Sequence, residues 1–280
     1  MLNKFKDFKD VWIYFYKNWL SLSICMVIPA VLVGFFYNPF KIITFLTNYS
    51  KMKVSSFGDI FSSQFGLNDI TWLNVLKVIL FILLLTVCLS VAFGLIENNM
   101  RSGKKNYSMI KDYINNNFLI VLANLVLFAL IVFVVKFVLS GIIFALHLAF
   151  CGLNVTCNTI TYILAIFFCA IALVFILQIL IVMILNIPNM ISNGYTIGNA
   201  ISTSITMLEK VNLSLLLIVL LPFVIIIPLI CLTSGTIGLN IVVGISTFVL
   251  LIYYTCLGMI EYFSLTDTPR YDNRKYYINY

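Results

Sequence analysis

Two glutamates and two prolines are the residues of this sequence that could do chemistry inside a bilayer. Glu97 and Glu261 each close a long apolar run, at equivalent positions. The pair predicts either two members of an inner vestibule or two separate carboxylates solvated at headgroup level. Pro222 and Pro228 lie six residues apart in one run. They either break that helix and free carbonyl groups toward a cavity, or kink a helix that stays packed.

Residues for hydrolytic or metal chemistry are missing. The single histidine, His147, borders a short loop and is interpreted as an interface residue rather than a base. The sequence contains no HExxH, GxSxG, P-loop or zinc-spaced Cys/His pattern, and no paired carboxylates within an apolar run. Cys151 and Cys157 flank the same loop and either pair or stay free. We therefore expect a protein that is not an enzyme and needs no metal or cofactor.

The composition excludes a soluble globular domain. Apolar residues make up 62% of the 280 residues, charged residues 10%, and the mean hydropathy is +1.08. A soluble domain of this size must carry polar groups on its exterior. The chain is therefore predicted to be an all-α polytopic membrane protein in a single membrane domain, residues 1–280.

Six apolar runs are long enough to cross a bilayer as helices of about 20 residues. They cover residues 19–37, 71–96, 118–146, 159–186, 213–233 and 240–260. The segment 38–70 between the first two keeps phenylalanines at helical spacing, which predicts short helices rather than a free loop. Lys136, near the end of the third run, either snorkels to the headgroups or is buried and functional.

Three amphipathic stretches precede spans on the same predicted side. In residues 3–18, aromatic residues recur at gaps of three and four opposite a lysine face. Residues 107–117 and 197–208 show related patterns. Each stretch is interpreted as an interfacial helix. For residues 3–18 the alternative is the first turns of a longer spanning helix.

These stretches suggest a pseudo-threefold repeat. Asn18, Asn117 and Asn212 each stand one residue before an apolar run and follow an amphipathic stretch. A unit of interfacial helix, span and return span, used three times in parallel, accounts for the pattern. The predicted units are residues 1–96, 97–186 and 187–262, followed by a tail at 263–280.

The distribution of basic residues predicts the orientation. Twelve Lys and Arg residues lie on the side of both termini and three on the other side. By the positive-inside rule both termini are predicted to be cytoplasmic. The net charge is +7, and the basic residues lie beside apolar runs. We therefore expect anionic lipid headgroups as partners and no nucleic acid. Heavy use of Asn, Ile and Lys suggests an AT-rich bacterial genome, so the predicted location is the bacterial cytoplasmic membrane.

The opening FKDVWIYFYKNW and the stretch IGNAISTSITMLEKVN at 197–212 resemble a bacterial six-span membrane family. That family includes the membrane domain attached to some glycerophosphodiester phosphodiesterases. The resemblance covers most of the chain and implies a six-helix membrane fold. The phosphodiesterase catalytic domain has no counterpart here, so the resemblance implies no activity.

Two functional hypotheses remain open at this stage. In the first, the protein acts by contact through its interfacial helices, as an accessory or assembly factor or by shaping the lipid leaflet. In the second, it is a transporter or channel for a small solute, ion or lipid, with an inner vestibule near Glu97 and Glu261 and a broken fifth span. The sequence leaves open whether an ABC-type ATPase or another protein is a partner, and which oligomer forms.

Overall fold

The computed structural model describes residues 2–36, 38–65, 72–209, 212–236 and 238–272, which are almost entirely helical. Within these ranges ten α-helices follow one another: α1 Leu2–Phe36, α2 Lys41–Tyr49, α3 Phe57–Phe65, α4 Trp72–Ser102, α5 Ile110–Phe150, α6 Thr159–Asn193, α7 Ile197–Glu209, α8 Asn212–Leu220, α9 Phe223–Thr233 and α10 Gly238–Leu265. Two short strands, β1 Lys53–Val54 and β2 Val155–Thr156, pair antiparallel.

Six helical stretches are long and apolar enough to cross a membrane, which confirms the predicted all-α polytopic class. They are Phe8–Gly34, Leu76–Ser102, Tyr107–Phe150, Thr159–Asn193, Leu213–Thr233 and Gly238–Leu265. The stretch Leu213–Thr233 consists of α8 and α9, which meet at a turn.

The bundle has two different ends. At one end, which we call the termini end, α1 and α5 begin and α4, α6 and α10 finish. The hydroxyl of Tyr14 in α1 reaches Asn99 in α4 there, at 3.0 Å. At the opposite end, the cap end, α2, α3 and the β1–β2 pair cover the bundle, and the Thr47 and Ser234 hydroxyls lie 3.1 Å apart.

Two of the three predicted interfacial helices are not separate helices. Residues 3–18 are the first turns of α1, and residues 107–117 comprise a short 3₁₀ turn, Tyr107–Met109, that runs directly into α5. Helix α7 is separate from α6, and residues 210 and 211 between α7 and α8 lie outside the described residues. Asn18 and Asn117 lie inside α1 and α5, and their side chains are hydrogen-bonded within the bundle. Asn18 Nδ2 donates to the Tyr14 carbonyl at 2.9 Å, and Asn117 Nδ2 donates to the Ser90 carbonyl at 3.3 Å.

Helix α10 lies in the middle of the bundle and packs against α1, α4, α6 and α9. Two close helix crossings hold it. At Gly34 an added Cβ would lie 2.8 Å from the Asn240 carbonyl oxygen and 3.0 Å from the Gly244 Cα. At Gly258 an added Cβ would lie 2.6 Å from the Ile184 carbonyl oxygen. These glycines allow backbones to approach closely, which is the usual basis of helix association in membranes.

The cap has a hydrophobic core of its own, formed by α2, α3 and the adjoining halves of α5 and α6. Its buried residues are Ile42, Phe45, Tyr49, Val54, Ile60, Leu139, Ile143, Ala165, Cys169 and Ala172. The short helices α2 and α3 confirm the prediction for residues 38–65. The predicted remainder of that segment, 66–70, lies outside the described residues.

Lys136 and His147 are buried beneath this cap, where the sequence predicted interfacial positions. Lys136 is 3% exposed, and its Nζ lies 3.4 Å from the Gln64 carbonyl oxygen, so the snorkelling prediction is wrong. His147 is fully buried, with Nδ1 3.1 Å from the Tyr49 hydroxyl. Burial also raises the pKa of Tyr49. Helix α3 and the end of α2 cover both side chains, and this tertiary contact is not visible in local hydropathy.

Candidate functional site

Buried polar side chains gather at the termini end. Such groups are costly inside a membrane protein unless they bond to one another, so their concentration makes this end the candidate site. The buried members are Asn18, Asn99, Asn117, Asn124, Asn186, Asn189, Ser204 and Glu261.

Glu97, in the last turns of α4, joins α4 to α6. Its Oε1 accepts a hydrogen bond of 2.9 Å from Arg101 Nε and one of 3.1 Å from the Ser192 hydroxyl. The Glu97 side chain is 19% exposed and that of Arg101 46% exposed. The carboxylate is therefore a partly solvated group that links two helix ends.

The end of α10 joins the same network. The Tyr262 hydroxyl donates to Asn193 Oδ1 at 3.0 Å, which connects α10 to α6. The Arg101 guanidinium lies 5.7 Å from the centre of the Phe263 ring, a cation–π contact between α4 and α10. The ends of α4, α6 and α10 therefore form one connected polar surface.

Glu261 has a different environment from Glu97, although both stand at the termini end. It is fully buried in α10, one residue before Tyr262. The structure brings the two glutamates to the same end but gives only Glu97 access to solvent. An inner vestibule between them stays a prediction.

A repeated motif underlies this placement. Residues 94–97 read Gly-Leu-Ile-Glu and residues 258–261 read Gly-Met-Ile-Glu. Both glycines sit at helix crossings, since a Cβ at Gly94 would lie 2.5 Å from the Tyr113 ring. Six residues after each glutamate, the chain adopts positive φ, at Gly103 and at Asp267. The shared Gly-x-Ile-Glu spacing was the signal that could have identified these crossings from the sequence.

Amide side chains connect α6 to its neighbours deeper in the bundle. Asn186 Nδ2 donates to Asn124 Oδ1 in α5, and Asn189 Nδ2 donates to the Ser204 hydroxyl in α7 at 2.9 Å. The Oδ1 atoms of Asn186 and Asn189 have no hydrogen-bond partner among the residues that the structure describes. Asn124 stands inside an apolar run, and from the sequence such a polar group is predicted to bond across helices. Asn186 and Asn189 stand where the fourth apolar run ends, and the local sequence does not distinguish them from interfacial residues.

The predicted break in the fifth span lies at Leu221 and Pro222, in the turn between α8 and α9, and Pro228 lies inside α9. Pro222 has no N–H, so the Ile218 carbonyl loses its helical donor. The Tyr253 hydroxyl of α10 donates to that carbonyl at 3.0 Å, and the Tyr254 hydroxyl donates to the Val219 carbonyl at 3.0 Å. The exposed backbone at the break is thus bonded to α10.

Two concavities accompany these groups. A void of about 10 Å³ lies between Tyr14 and Asn18 of α1 and Asn99 of α4, with room for no more than about one water molecule. An open groove of about 580 Å³ runs along the start of α1, which we call the α1 groove. It is lined by Phe8, Lys9, Trp12, Ile13, Phe15, Tyr16 and Lys17. Among the described residues, no group of three or more His, Cys, Asp or Glu side chains could hold a metal ion.

No family model, curated protein or solved structure matches this chain. The resemblance to the six-span membrane family stays a prediction.

Proposed function

We propose that the protein is a non-enzymatic membrane protein that acts on the bilayer by contact and shapes the lipid leaflet beside α5. The observation that carries this proposal is the height of the exposed apolar face of α5. Large apolar side chains are exposed from Leu119, at 73%, to Val138, and again at Leu148 and Phe150, the last at 50%. At 1.5 Å per residue this face is about 46 Å tall, whereas the hydrocarbon core of a bilayer measures about 30 Å.

Other faces of the molecule match a bilayer. Exposed apolar residues run from Trp12 to Val31 on α1 and from Leu213 to Leu232 along α8 and α9. Each of these faces is about 28 Å tall at 1.5 Å per residue. The same protein therefore offers lipid a thin apolar face on one side and a tall one on another.

Tilting the protein does not remove this difference, because α5 is fixed to its neighbours. Gly94 of α4 lies directly against the Tyr113 ring, and Asn117 bonds the Ser90 carbonyl. A tilt that shortened the α5 face relative to the membrane would change the other faces as well. Lipid beside α5 must then thicken, at a cost of a fraction of a kcal/mol per Å of mismatch. The bilayer around the protein is then thick on one side and of ordinary thickness on the other.

The termini end supplies the anchor in this proposal. Lys9 and Lys17 flank the aromatic residues of the α1 groove, and Lys104, Lys105 and Lys111 are exposed near the start of α5. Exposed lysines beside aromatic rings bind anionic headgroups at the membrane interface. We propose that this end faces the cytoplasm of a bacterium, as the charge count predicts. An accessory role toward a protein partner is compatible with the same anchoring.

The test shortens the exposed apolar face of α5 and leaves the packing of this helix against its neighbours unchanged. Val138 and Leu148 are 53% and 43% exposed. Lysines at both positions leave an apolar face from Leu119 to Phe137, about 27 Å tall, equal to the other faces. The variant V138K/L148K is compared with V138L/L148M in liposomes imaged by cryo-electron microscopy, with bilayer thickness measured beside the protein.

Wild type and V138L/L148M are expected to thicken the bilayer locally beside α5. V138K/L148K is expected to leave the bilayer thickness at the value of protein-free liposomes. Equal thickness profiles for all three proteins would contradict the proposal. Folding of each variant is checked by its elution as a single species in detergent.

Transport is the second candidate, and the complete burial of Glu261 is the observation in its favour. The tyrosine bonds at the α8–α9 break weigh against it, because they occupy the carbonyl groups that a permeating cation would need. Liposomes that contain the wild-type protein are tested for specific flux of an ion or solute. If E261Q abolishes that flux and E97Q alters it, the function is transport rather than contact with the bilayer.

A further inference from the structure

Two thiols at the cap end lie in one tight hairpin between α5 and α6. Cys151 follows the last residue of α5, and Cys157 precedes the cap of α6 by one residue. Gly152 and Asn154 both have positive φ, which turns the chain back on itself. Asn158 Nδ2 donates to the Phe150 carbonyl at 3.2 Å and closes the base of the hairpin.

This hairpin brings the two cysteines within reach of each other. The Asn158 N–H donates to Cys151 Sγ at 3.2 Å. Because the Asn158 nitrogen is bonded to the Cys157 carbonyl carbon, Cys151 Sγ lies within about 6 Å of the Cys157 Cα. The Cys157 side chain extends from this same Cα, so its rotation toward Cys151 brings the two sulfur atoms near each other, as a disulfide bond requires. We propose that Cys151 and Cys157 form a disulfide bond, which makes the cap end a site of thiol oxidation.

The surroundings of the two thiols assign their roles. Cys151 Sγ lies at the start of α6, next to the Asn158 N–H and 3.3 Å from the Thr161 hydroxyl. These groups face the negative charge that builds on sulfur during thiol–disulfide exchange. Cys157 Sγ points to the Tyr49 carbonyl at 3.5 Å, and burial raises the pKa of its thiol. Cys151 therefore attacks the oxidant first and Cys157 resolves the intermediate.

The oxidant is a small or protein disulfide, such as oxidised glutathione or a dithiol carrier. Cys151 Sγ attacks one sulfur of that disulfide, forms a mixed disulfide and releases one reduced thiol. Cys157 Sγ then attacks Cys151 Sγ and releases the second thiol. The pair loses two electrons and its two protons, and one disulfide of the oxidant is reduced to two thiols.

The bond ties the cap together. Strand β2 lies between the two cysteines and pairs with β1, Lys53 opposite Thr156 and Val54 opposite Val155. Closing a loop of residues 151–157 restricts this strand and the segment that leads to α3. The inference does not depend on the proposed effect on lipid, because it rests only on the geometry of the hairpin.

The experiment counts thiols in the full-length protein in liposomes. Samples are treated with oxidised glutathione, denatured, blocked with N-ethylmaleimide, reduced and labelled with a maleimide mass tag. Of the seven cysteines in the chain, wild type is expected to show two that become reactive only after reduction. C151S and C157S are each expected to lose that pair, whereas C169S and C231S keep it.

Mass spectrometry of the oxidised wild type gives a second measurement that needs no variant. It is expected to find one cross-linked peptide joining Cys151 to Cys157, without glutathione. A glutathione adduct that persists on Cys151, or seven thiols that all react before reduction, would overturn the proposal. A cross-link from either cysteine to Cys169 would overturn it as well.

Discussion

The Tyr253 hydroxyl donates a hydrogen bond of 3.0 Å to the Ile218 carbonyl, the carbonyl that Pro222 leaves without a helical donor. The next residue, Tyr254, bonds the next carbonyl, that of Val219, at the same distance. Unsatisfied carbonyl groups are costly inside a membrane. The hydroxyl groups of two adjacent tyrosines in α10 thus bond the carbonyl groups that lack helical donors at the turn between α8 and α9.

We expect Y253F and Y254F each to reduce the free energy of unfolding by about 1 kcal/mol, the usual net value of one hydrogen bond. In P222A the helical donor returns, so the Y253F change is expected to have less effect in that background. The measurement is a double-mutant cycle of reversible unfolding in mixed micelles. Y195F, at a residue 41% exposed, is the control and is expected to be neutral. Equal effects of Y253F with and without P222A would show that the two residues are not coupled.

The contrast between Pro222 and Tyr253 shows what the sequence could and could not predict here. A proline within an apolar run predicts a break by its chemistry alone. The hydroxyl groups that donate to the carbonyls at this break belong to α10, 35 residues further along the chain. Nothing in the local pattern of α10 distinguishes a tyrosine that bonds a distant carbonyl from one that faces lipid. The structure therefore shows a hydrogen-bonded contact with α10 at the position where the sequence left a cavity open.

Glycines at helix crossings lead to a second prediction. At Gly258 a new Cβ would lie 2.6 Å from the Ile184 backbone oxygen, whereas at Gly141 in α5 it would meet nothing within 4 Å. We expect G258A to lower the free energy of unfolding by about 1–2 kcal/mol through overpacking. G141A is expected to raise it by roughly 0.5–1 kcal/mol, because alanine is the better helix former. Thermal unfolding in detergent distinguishes these opposite signs, and a stabilised G258A would refute the close contact.

Hydropathy predicted the six spans because a bilayer demands long apolar helices, whatever their neighbours are. It did not predict that residues 107–117 pack against α4, since the decisive contacts come from a helix earlier in the chain. The Tyr113 ring packs on Gly94, and the Asn98 amide donates to the Tyr113 hydroxyl at 2.9 Å. In the same way, Lys136 has an interfacial position by its distance along α5, whereas in the structure it is buried and contacts the Gln64 carbonyl of α3.

The buried asparagines of α6 lead to a third prediction. Asn186 donates to Asn124 across the α5–α6 contact, in a place without access to water. We expect a coupling energy of about 0.6–1.7 kcal/mol between N124A and N186A, the range found for side-chain hydrogen bonds in membrane helices. The partly exposed pair of Glu97 and Arg101 is expected to couple by less than about 0.5 kcal/mol, since ion pairs in contact with solvent contribute little. Double-mutant cycles measure both values, and the reverse order would contradict the assignment of the asparagines as the stronger link.

Asp59 gives the cap a predicted dependence on pH. Its Oδ2 accepts hydrogen bonds from the Ser55 hydroxyl at 2.6 Å and from the Ser55 and Ser56 N–H groups at 2.9 Å each. This capping arrangement at the start of α3 stabilises the ionised carboxylate. The hydrogen bonds, that of the Ser55 hydroxyl first, lower the pKa of Asp59 below its ordinary value.

A carboxyl group whose pKa is lower in the folded state stabilises that state at every pH above its unfolded pKa, which is about 3.9 for Asp. The contribution is lost as the pH falls through the lower folded value. Amide hydrogen exchange in α3, corrected for intrinsic rates, is therefore expected to lose protection below about pH 4. In D59A the protection should be low already at pH 6 and should change little on acidification. D112N, in the exposed first turn of α5, is the control and should follow the wild type. Wild-type protection in α3 that is unchanged between pH 6 and pH 3 would show that the Asp59 cap does not hold this helix.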